Sequence, residues 1–208
     1  MNILGLDLST KKSGWSFFED NKLEDYGLIT SSDKDIRVRT IEIKDKIYDI
    51  SKKFKIDRIV VEELKISPGG KTSNLHTVVA LAVLQGCVLS VCCDLDIDFL
   101  TYEPSVWRKL TNVNQKIIEC KSCGFKRRVL PKDSIEVCPE CGEKRKTYFR
   151  TILLNKRKDV KKTAILVVNK KYGLDLRYFE RDTKKNISDD DIAEAILIAQ
   201  AHINEFKL

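Results

Sequence analysis

Two Cys-x-x-Cys-Gly turns, Cys120-Lys121-Ser122-Cys123-Gly124 and Cys138-Pro139-Glu140-Cys141-Gly142, constrain this chain more than any other feature. Each turn presents two thiols from one short loop, and fourteen residues separate Cys123 from Cys138. That spacing lets the pair close one tetrahedral site, the signature of a zinc ribbon with Cys120, Cys123, Cys138 and Cys141 holding one structural Zn2+. Four thiolates leave no open position, so a catalytic zinc is not expected. A disulfide pair is the alternative. The N-terminus Met1-Asn2-Ile3-Leu4-Gly5-Leu6-Asp7 weighs against it, because it lacks a basic n-region and turns acidic at once, which points to the cytoplasm, where thiols stay reduced. The remaining cysteines, Cys87, Cys92 and Cys93, fall in an apolar run and are expected in the core.

The cysteine segment, taken as residues 113–154, interrupts an α/β pattern carried by residues 1–112 and 155–208. With 208 residues, 42% of them hydrophobic, the chain can fill one core and carry an appendage. Three strands open it: the first reaches Asp7, and Gly14–Glu19 and Lys22–Thr30 flank an Asp20-Asn21 turn. Ser31 or Ser32 offers a cap for a helix over Asp33–Lys55, whose Ile36, Ile43, Ile47, Ile50 and Phe54 recur at helical spacing. Asp57–Glu63 is a fourth, β-branched strand, and the Pro68-Gly69-Gly70 segment makes Ile66–Ser73 a flexible loop.

Asn74–Cys93 reads as a buried core helix, since its uncharged stretch is short and interrupted for a membrane span. Ile97–Tyr102 is a fifth strand, Pro104 starts a short helix containing Trp107, and Asp159–Tyr172 is a helix with Lys158, Lys161 and Lys162 largely outward. A last helix begins after an N-cap at Ser188. Together these elements predict an α/β fold, a mixed five-stranded sheet flanked by helices, with an inserted four-cysteine zinc ribbon.

Acids recur where this pattern would bury them. Asp7 ends the first strand, Glu62 ends the fourth, and Asp191 and Glu194 stand three residues apart on one face of the last helix. Helix capping accounts for an acid in a first turn, but not for Glu194 between Ala193 and Ala195. Convergent carboxylates repel unless cations lie between them, and oxygen ligands of this kind suit Mg2+ or Mn2+. A pair of such ions activates water and stabilises the leaving oxygen in phosphodiester hydrolysis.

Gly5-Leu6-Asp7, Ser13-Gly14-Trp15, Val60-Val61-Glu62-Glu63 and Asp190-Asp191-Ile192-Ala193-Glu194-Ala195 together resemble the RuvC family of Holliday-junction resolvases, within the RNase H-like superfamily. The resemblance covers most of the chain outside the cysteine insertion. It implies that Asp7, Glu62, Asp191 and Glu194 bind two Mg2+ (or Mn2+) ions and cut DNA, with Asp190 an alternative ligand to Asp191. It also implies a homodimer acting on four-way junctions, with Arg108 and Lys162 near the scissile phosphate. Glu194 stands where members more often have Asp, and Leu64–Ser73 has no counterpart of the family's junction-contacting aromatic. The zinc ribbon is absent from ordinary bacterial resolvases.

Charge agrees with a polyanion partner. Residues 108–185 hold 23 Lys/Arg against 9 Asp/Glu, whereas the formal net charge of the whole chain is only +7. Lys126, Arg127, Arg128, Lys144, Arg145 and Lys146 on the insertion, with Lys158 and Lys161 beyond it, are placed to meet phosphates, a dimer-stabilising or purely structural ribbon being the alternative. The sequence therefore reads as a cytoplasmic, structure-selective, metal-dependent endonuclease of bacterial, phage or viral context, with no membrane association. A flap, debranching or RNA/DNA-hybrid nuclease is the near alternative. A non-catalytic zinc-ribbon DNA-binding protein is the distant one.

Overall fold

The computed structural model describes residues 1–64, 75–113, 116–129, 134–153, 157–179 and 187–206, so the loop expected at Ile66–Ser73 lies outside the described residues. Strands β1 (Asn2–Asp7), β2 (Lys12–Glu19) and β3 (Lys22–Thr30) form an antiparallel meander. Asp20 and Asn21, with φ of 46° and 69°, make the tight turn that matches strand twist. Strands β4 (Arg58–Glu62) and β5 (Asp98–Tyr102) run parallel to β1, giving the order β3-β2-β1-β4-β5. Leu6 pairs with Val61, so Asp7 and Glu62 leave neighbouring parallel strands at the same end of the sheet.

Residues alternate across the sheet as its pleat demands. Leu4, Leu6, Phe17, Ile59 and Val61 pack toward α1 (Ile36–Lys53) and α2 (Leu75–Leu95). Ile3, Phe18, Val60 and Tyr102 pack toward α3 (Pro104–Leu110), α4 (Arg157–Tyr172) and α5 (Asp190–Phe206). The helix α5 lies against the sheet and is covered by α3 and α4 on its other side, so its residues 190–203 are all buried. Each fully buried Ile or Leu there, such as Ile196, Leu197 and Ile198, contributes about 1.5–3 kcal/mol. The hydroxyl of Ser16 on β2 donates to the Ala195 carbonyl at 3.0 Å and fixes the helix along the strand.

The cysteine segment forms a sheet of its own, β7-β6-β8, from β6 (Lys116–Cys120), β7 (Lys126–Val129) and β8 (Phe149–Leu153), with a 3-10 turn at Lys146–Tyr148. Val113, placed in the insertion by sequence, packs in the main core at 2% exposure.

Four local expectations change. The N-cap of α1 is Asp35, whose carboxylate accepts the Arg37 N–H at 2.8 Å, while Ser31 turns instead to Glu42. Ser188 does not cap α5, because its hydroxyl exchanges hydrogen bonds with the backbone of Phe179. Lys161 points inward, toward the acids of α5. Helix α2 buries only one stripe, Ala80, Leu84, Val88, Val91 and Cys92, and leaves Leu75, Val79, Val83 and Leu89 46–72% exposed; Cys93 is exposed as well. By length and composition α2 is apolar enough to cross a membrane, but its buried stripe belongs to the core beneath the sheet.

Candidate active site

The carboxyl ends of β1 and β4 and the first turns of α5 meet at a cavity of about 770 Å3 lined by Asp7, Glu62, Glu63, Arg108, Val160, Asp191 and Glu194, among others. One oxygen each from Asp7, Asp191 and Glu194 lies within 4.8 Å of the others. What permits this closeness is glycine. Gly14 is the β2 partner of Asp7, and a Cβ on it would sit 1.9 Å from the Asp191 carbonyl oxygen; a Cβ on Gly5 would sit 2.4 Å from that of Ala195. Helix α5 therefore crosses β1 and β2 at backbone contact, which carries Asp191 and Glu194 to Asp7.

Burial, then the charges of Glu194, Asp191 and Glu62, push the Asp7 carboxyl well above the ordinary carboxylate range. Burial raises Glu194 to about 7, although Lys161 pulls it down. Burial and Asp190 likewise raise Asp191, against the opposing pull of Lys161 and Lys12. Acids that resist ionising because they are buried among other acids form a site short of positive charge. Hard oxygen donors so arranged fit a divalent cation of the Mg2+ class.

Several neighbours hold these carboxylates in place. The Lys161 ammonium bonds to Asp190 and lies 3.3 Å from Asp191 and 4.0 Å from Glu194. Burial opposes its charge, but those three acids outweigh burial and keep it protonated. Lys12 reaches Asp191 at 3.0 Å and the Ser188 carbonyl at 3.0 Å. Glu62 stands apart from the trio, its Oε2 accepting the indole N–H of buried Trp107 at 2.6 Å with Arg108 at 3.8 Å. The Nε of Arg108 is, among the described residues, the buried side-chain polar atom left without a hydrogen-bond partner.

The structure thus brings together Asp7, Glu62, Asp191, Glu194, Arg108 and Lys161. Asp190, the alternative ligand, is buried and bonded to Lys161 outside the trio. Lys162 lies over the Tyr178 ring at 5.2 Å and does not line the cavity. Lys126 and Arg127 are exposed on β7, whereas the side chains of Arg128 and Lys158 lie outside the described part. Sequence reasoning missed the positioning partners Lys12 and Trp107. Helical spacing could have found neither, since both depend on contacts distant in the chain.

The four cysteines form a second cluster. Cys120 and Cys141 sulfurs are 3.7 Å apart, and Cys123 and Cys138 sulfurs 3.6 Å. A tetrahedron with Zn–S bonds of about 2.3 Å has edges of about 3.8 Å, whereas a disulfide needs about 2.05 Å. The donor set therefore fits zinc and not a pair of disulfides. Burial raises the Cys120 thiol, but backbone N–H groups of Cys123 and Ser122 outweigh it and bring it to about 7. At Cys141 the backbone N–H of Glu143 is outweighed by contact with the other cysteines, which pushes the thiol up to about 12, so the metal-free cluster shares protons that a bound metal would displace. Gly124 and Gly142, at φ of 76° and 70°, close the two turns with N–H bonds back to the Cys120 and Cys138 carbonyls.

No family model matches the chain. Over 113 residues, 52% of this chain and 69% of the relative, it is 29% identical to the crossover junction endodeoxyribonuclease RuvC of Ehrlichia chaffeensis. The fold matches RuvC of T. thermophilus, solved in complex with a Holliday junction substrate, with a TM-score of 0.59 at 13% identity over 100% of this chain and 95% of that one. It also matches the yeast mitochondrial Holliday junction resolvase Ydc2, with a TM-score of 0.50 at 14% identity over 97% and 77%. In sequence over about half its length, and in fold throughout, this chain is similar to RuvC, with a four-cysteine module between its third and fourth helices.

Proposed function

We propose that this chain cuts branched DNA, four-way (Holliday) junctions foremost, by metal-assisted hydrolysis of a phosphodiester. The observation that carries the reading is the meeting of Asp7, Asp191 and Glu194 within 4.8 Å, beside Glu62, in one open cavity of a RuvC-like fold. Asp7, Glu62, Asp191 and Glu194 would hold Mg2+ or Mn2+, two ions per site. Bound there, such ions supply an activated water and neutralise the charge gathering on the leaving oxygen. Zn2+ in the four-cysteine module is structural.

The chain's own residues divide the remaining work. Trp107 fixes Glu62 by its indole N–H, and Lys12 and Lys161 fix Asp191 from two sides. Arg108 lines the cavity with its guanidinium 3.8 Å from Glu62, where it would meet a phosphate oxygen of the bound strand.

The protein is further proposed to work as a cytoplasmic homodimer in which two copies of α2 cover one another. Exposed Leu75, Val79, Val83 and Leu89 form an apolar face of the kind that marks an interaction surface. Sedimentation of the wild type and of Val83→Glu measures this, with a dimer expected to become a monomer.

Matched four-way, flap, duplex and RNA/DNA-hybrid substrates, incubated with and without Mg2+, test the activity. Cutting of the four-way junction is expected, and Asp7→Asn is expected to bind the junction without cutting it. Preference for a flap or hybrid would replace the junction by that substrate. Cleavage retained in Asp7→Asn would remove Asp7 from the catalytic role, and binding without cleavage by the wild type would leave a DNA-binding protein.

A further inference from the structure

The four-cysteine module carries charge that the cavity does not use. Lys121, Lys126, Arg127, Lys144, Lys146 and Arg150 are all exposed on it. Two of its acids are engaged internally: Glu119 pairs with Lys126 at 3.2 Å, and Glu143 holds Arg145 at 2.8 Å while accepting the backbone N–H groups of Lys144 and Arg145. Among the described residues, Arg127, Lys144, Lys146 and Arg150 meet no carboxylate within ion-pair distance.

The ladder fixes where some of this charge points. Glu119 on β6 is opposed by Lys126 on β7 and by Arg150 on β8, and directly opposed residues share a face. Two cations therefore flank one acid across the sheet. The cysteine cluster ties the turns at Cys120–Gly124 and Cys138–Gly142 together, so the cations near them are presented from a fixed frame.

The module's attachment adds direction. Strand β6 follows α3, which brings Pro104 and Arg108 to the cavity lining, and β8 leads into α4, which brings Val160 there. The helices that precede and follow the module thus each line that cavity. A nucleic acid that ran on from the cavity to the module would meet these six exposed cations, opposed there by exposed Glu136 and Glu140.

We propose that the four-cysteine module is a second DNA-binding surface, which grips the phosphate backbone of the duplex arm leaving the cavity without reading its sequence. Phosphate contacts of this kind position a protein and make its affinity depend on salt. The inference needs a DNA partner but not the nuclease reading, since it concerns binding alone.

The experiment is four-way-junction binding across a salt series, without added Mg2+, for the wild type and the combined variant Arg127→Ala, Lys144→Ala, Lys146→Ala, Arg150→Ala. The variant is expected to bind more weakly, its slope of log affinity against log salt smaller by about 0.9 for each phosphate no longer neutralised. Its zinc content should stay at one per chain and its unfolding midpoint unmoved. Unchanged affinity and slope overturn the proposal, as does an equal loss for an RNA duplex that competes better than DNA.

A photo-crosslinking residue at Lys146 in the otherwise native chain decides the matter if the variant loses zinc. An adduct with a DNA strand supports the proposal, and an adduct with protein alone overturns it. A wild type that shows the salt effect but never cuts would sink the nuclease reading and leave this one standing. A junction-cutting enzyme with an unaltered slope would do the reverse.

Discussion

Gly14 and Asp191 touch backbone to backbone: a single methyl on Gly14 would sit 1.9 Å from the Asp191 carbonyl oxygen and 2.2 Å from its carbonyl carbon. The strand partner of Asp7 is thus also the seat of the helix turn that brings the second acid. Gly14→Ala is expected to destabilise the fold by about 1–3 kcal/mol through overpacking, and to weaken Mg2+ binding by moving Asp191 outward. Thermal unfolding and isothermal titration with Mg2+ check the two effects separately.

Trp107→Phe keeps the ring in the core but removes the N–H that holds Glu62. A hydrogen bond to a charged group contributes about 1.5–3 kcal/mol, so a loss of roughly 10–100-fold in junction cleavage is expected. Urea unfolding of the variant should show a far smaller change than the cleavage assay. Equal losses in both would mean that Trp107 serves packing only.

Metal binding should compete with protons. The Asp7 and Glu194 carboxyls lie above their ordinary values, Glu194 at about 7, so the metal-free protein holds protons there that the unfolded chain would release. Stability from both groups is present at low pH, and the Glu194 share is lost as pH rises through about 7. Mg2+ affinity should therefore climb as pH rises through about 7, with proton release measurable by titration in buffers of different ionisation enthalpy. Glu194→Gln is expected to raise metal-free stability at about pH 8 while removing Mg2+ affinity.

His202 gives the opposite slope at the other end of the sheet. Its Nε2 faces the Arg58 guanidinium at 3.0 Å, its Nδ1 faces the Tyr102 hydroxyl at 3.0 Å, and Tyr102 donates in turn to Glu205. Because the guanidinium can only donate, the ring is neutral with its proton on Nδ1. Burial and Arg58 push its pKa down, against the pull of Glu205. The unfolded chain thus binds the proton first, and stability should fall as pH drops through about 6.5. In denaturant midpoints from about pH 5 to 8, the wild type is expected to lose ground relative to His202→Gln as pH falls, since the acids at the cavity contribute equally to both.

Removing zinc should melt the four-cysteine module and spare the core. The sheets share no strand, and the cysteine sulfurs lie among β6, β8 and the turns they frame. Hydrogen exchange after metal extraction is expected to show loss of protection in β6, β7 and β8, with β1, β4 and α5 unchanged.

Where chemistry is carried by neighbours in sequence, the chain was readable. Each of β1, β4 and α5 ends or begins with its acid at the expected place, because a strand's last residue and a helix's first turn are local facts. The cysteine spacing is local too. What could not be read depends on contacts made across the fold. Lys161 has the spacing of an outward residue, yet α4 lies against α5 and turns it into the acids. Ser188 looks like a cap until the backbone of Phe179 claims it. Helix α2 is apolar nearly all round, and composition alone does not separate a helix buried on every side from one that buries a single stripe.

The two ends of the cysteine segment meet, since Lys116 and Leu153 pair across the β6–β8 ladder. A loop whose ends nearly touch can be lengthened or shortened with little cost to the frame that carries it. The core around Asp7 would therefore tolerate a plain turn in place of the module, and the module could be carried to another protein at any site offering two adjacent chain ends. Such an arrangement lets grip and cutting change independently, so that one hydrolytic centre can be fitted with different hands.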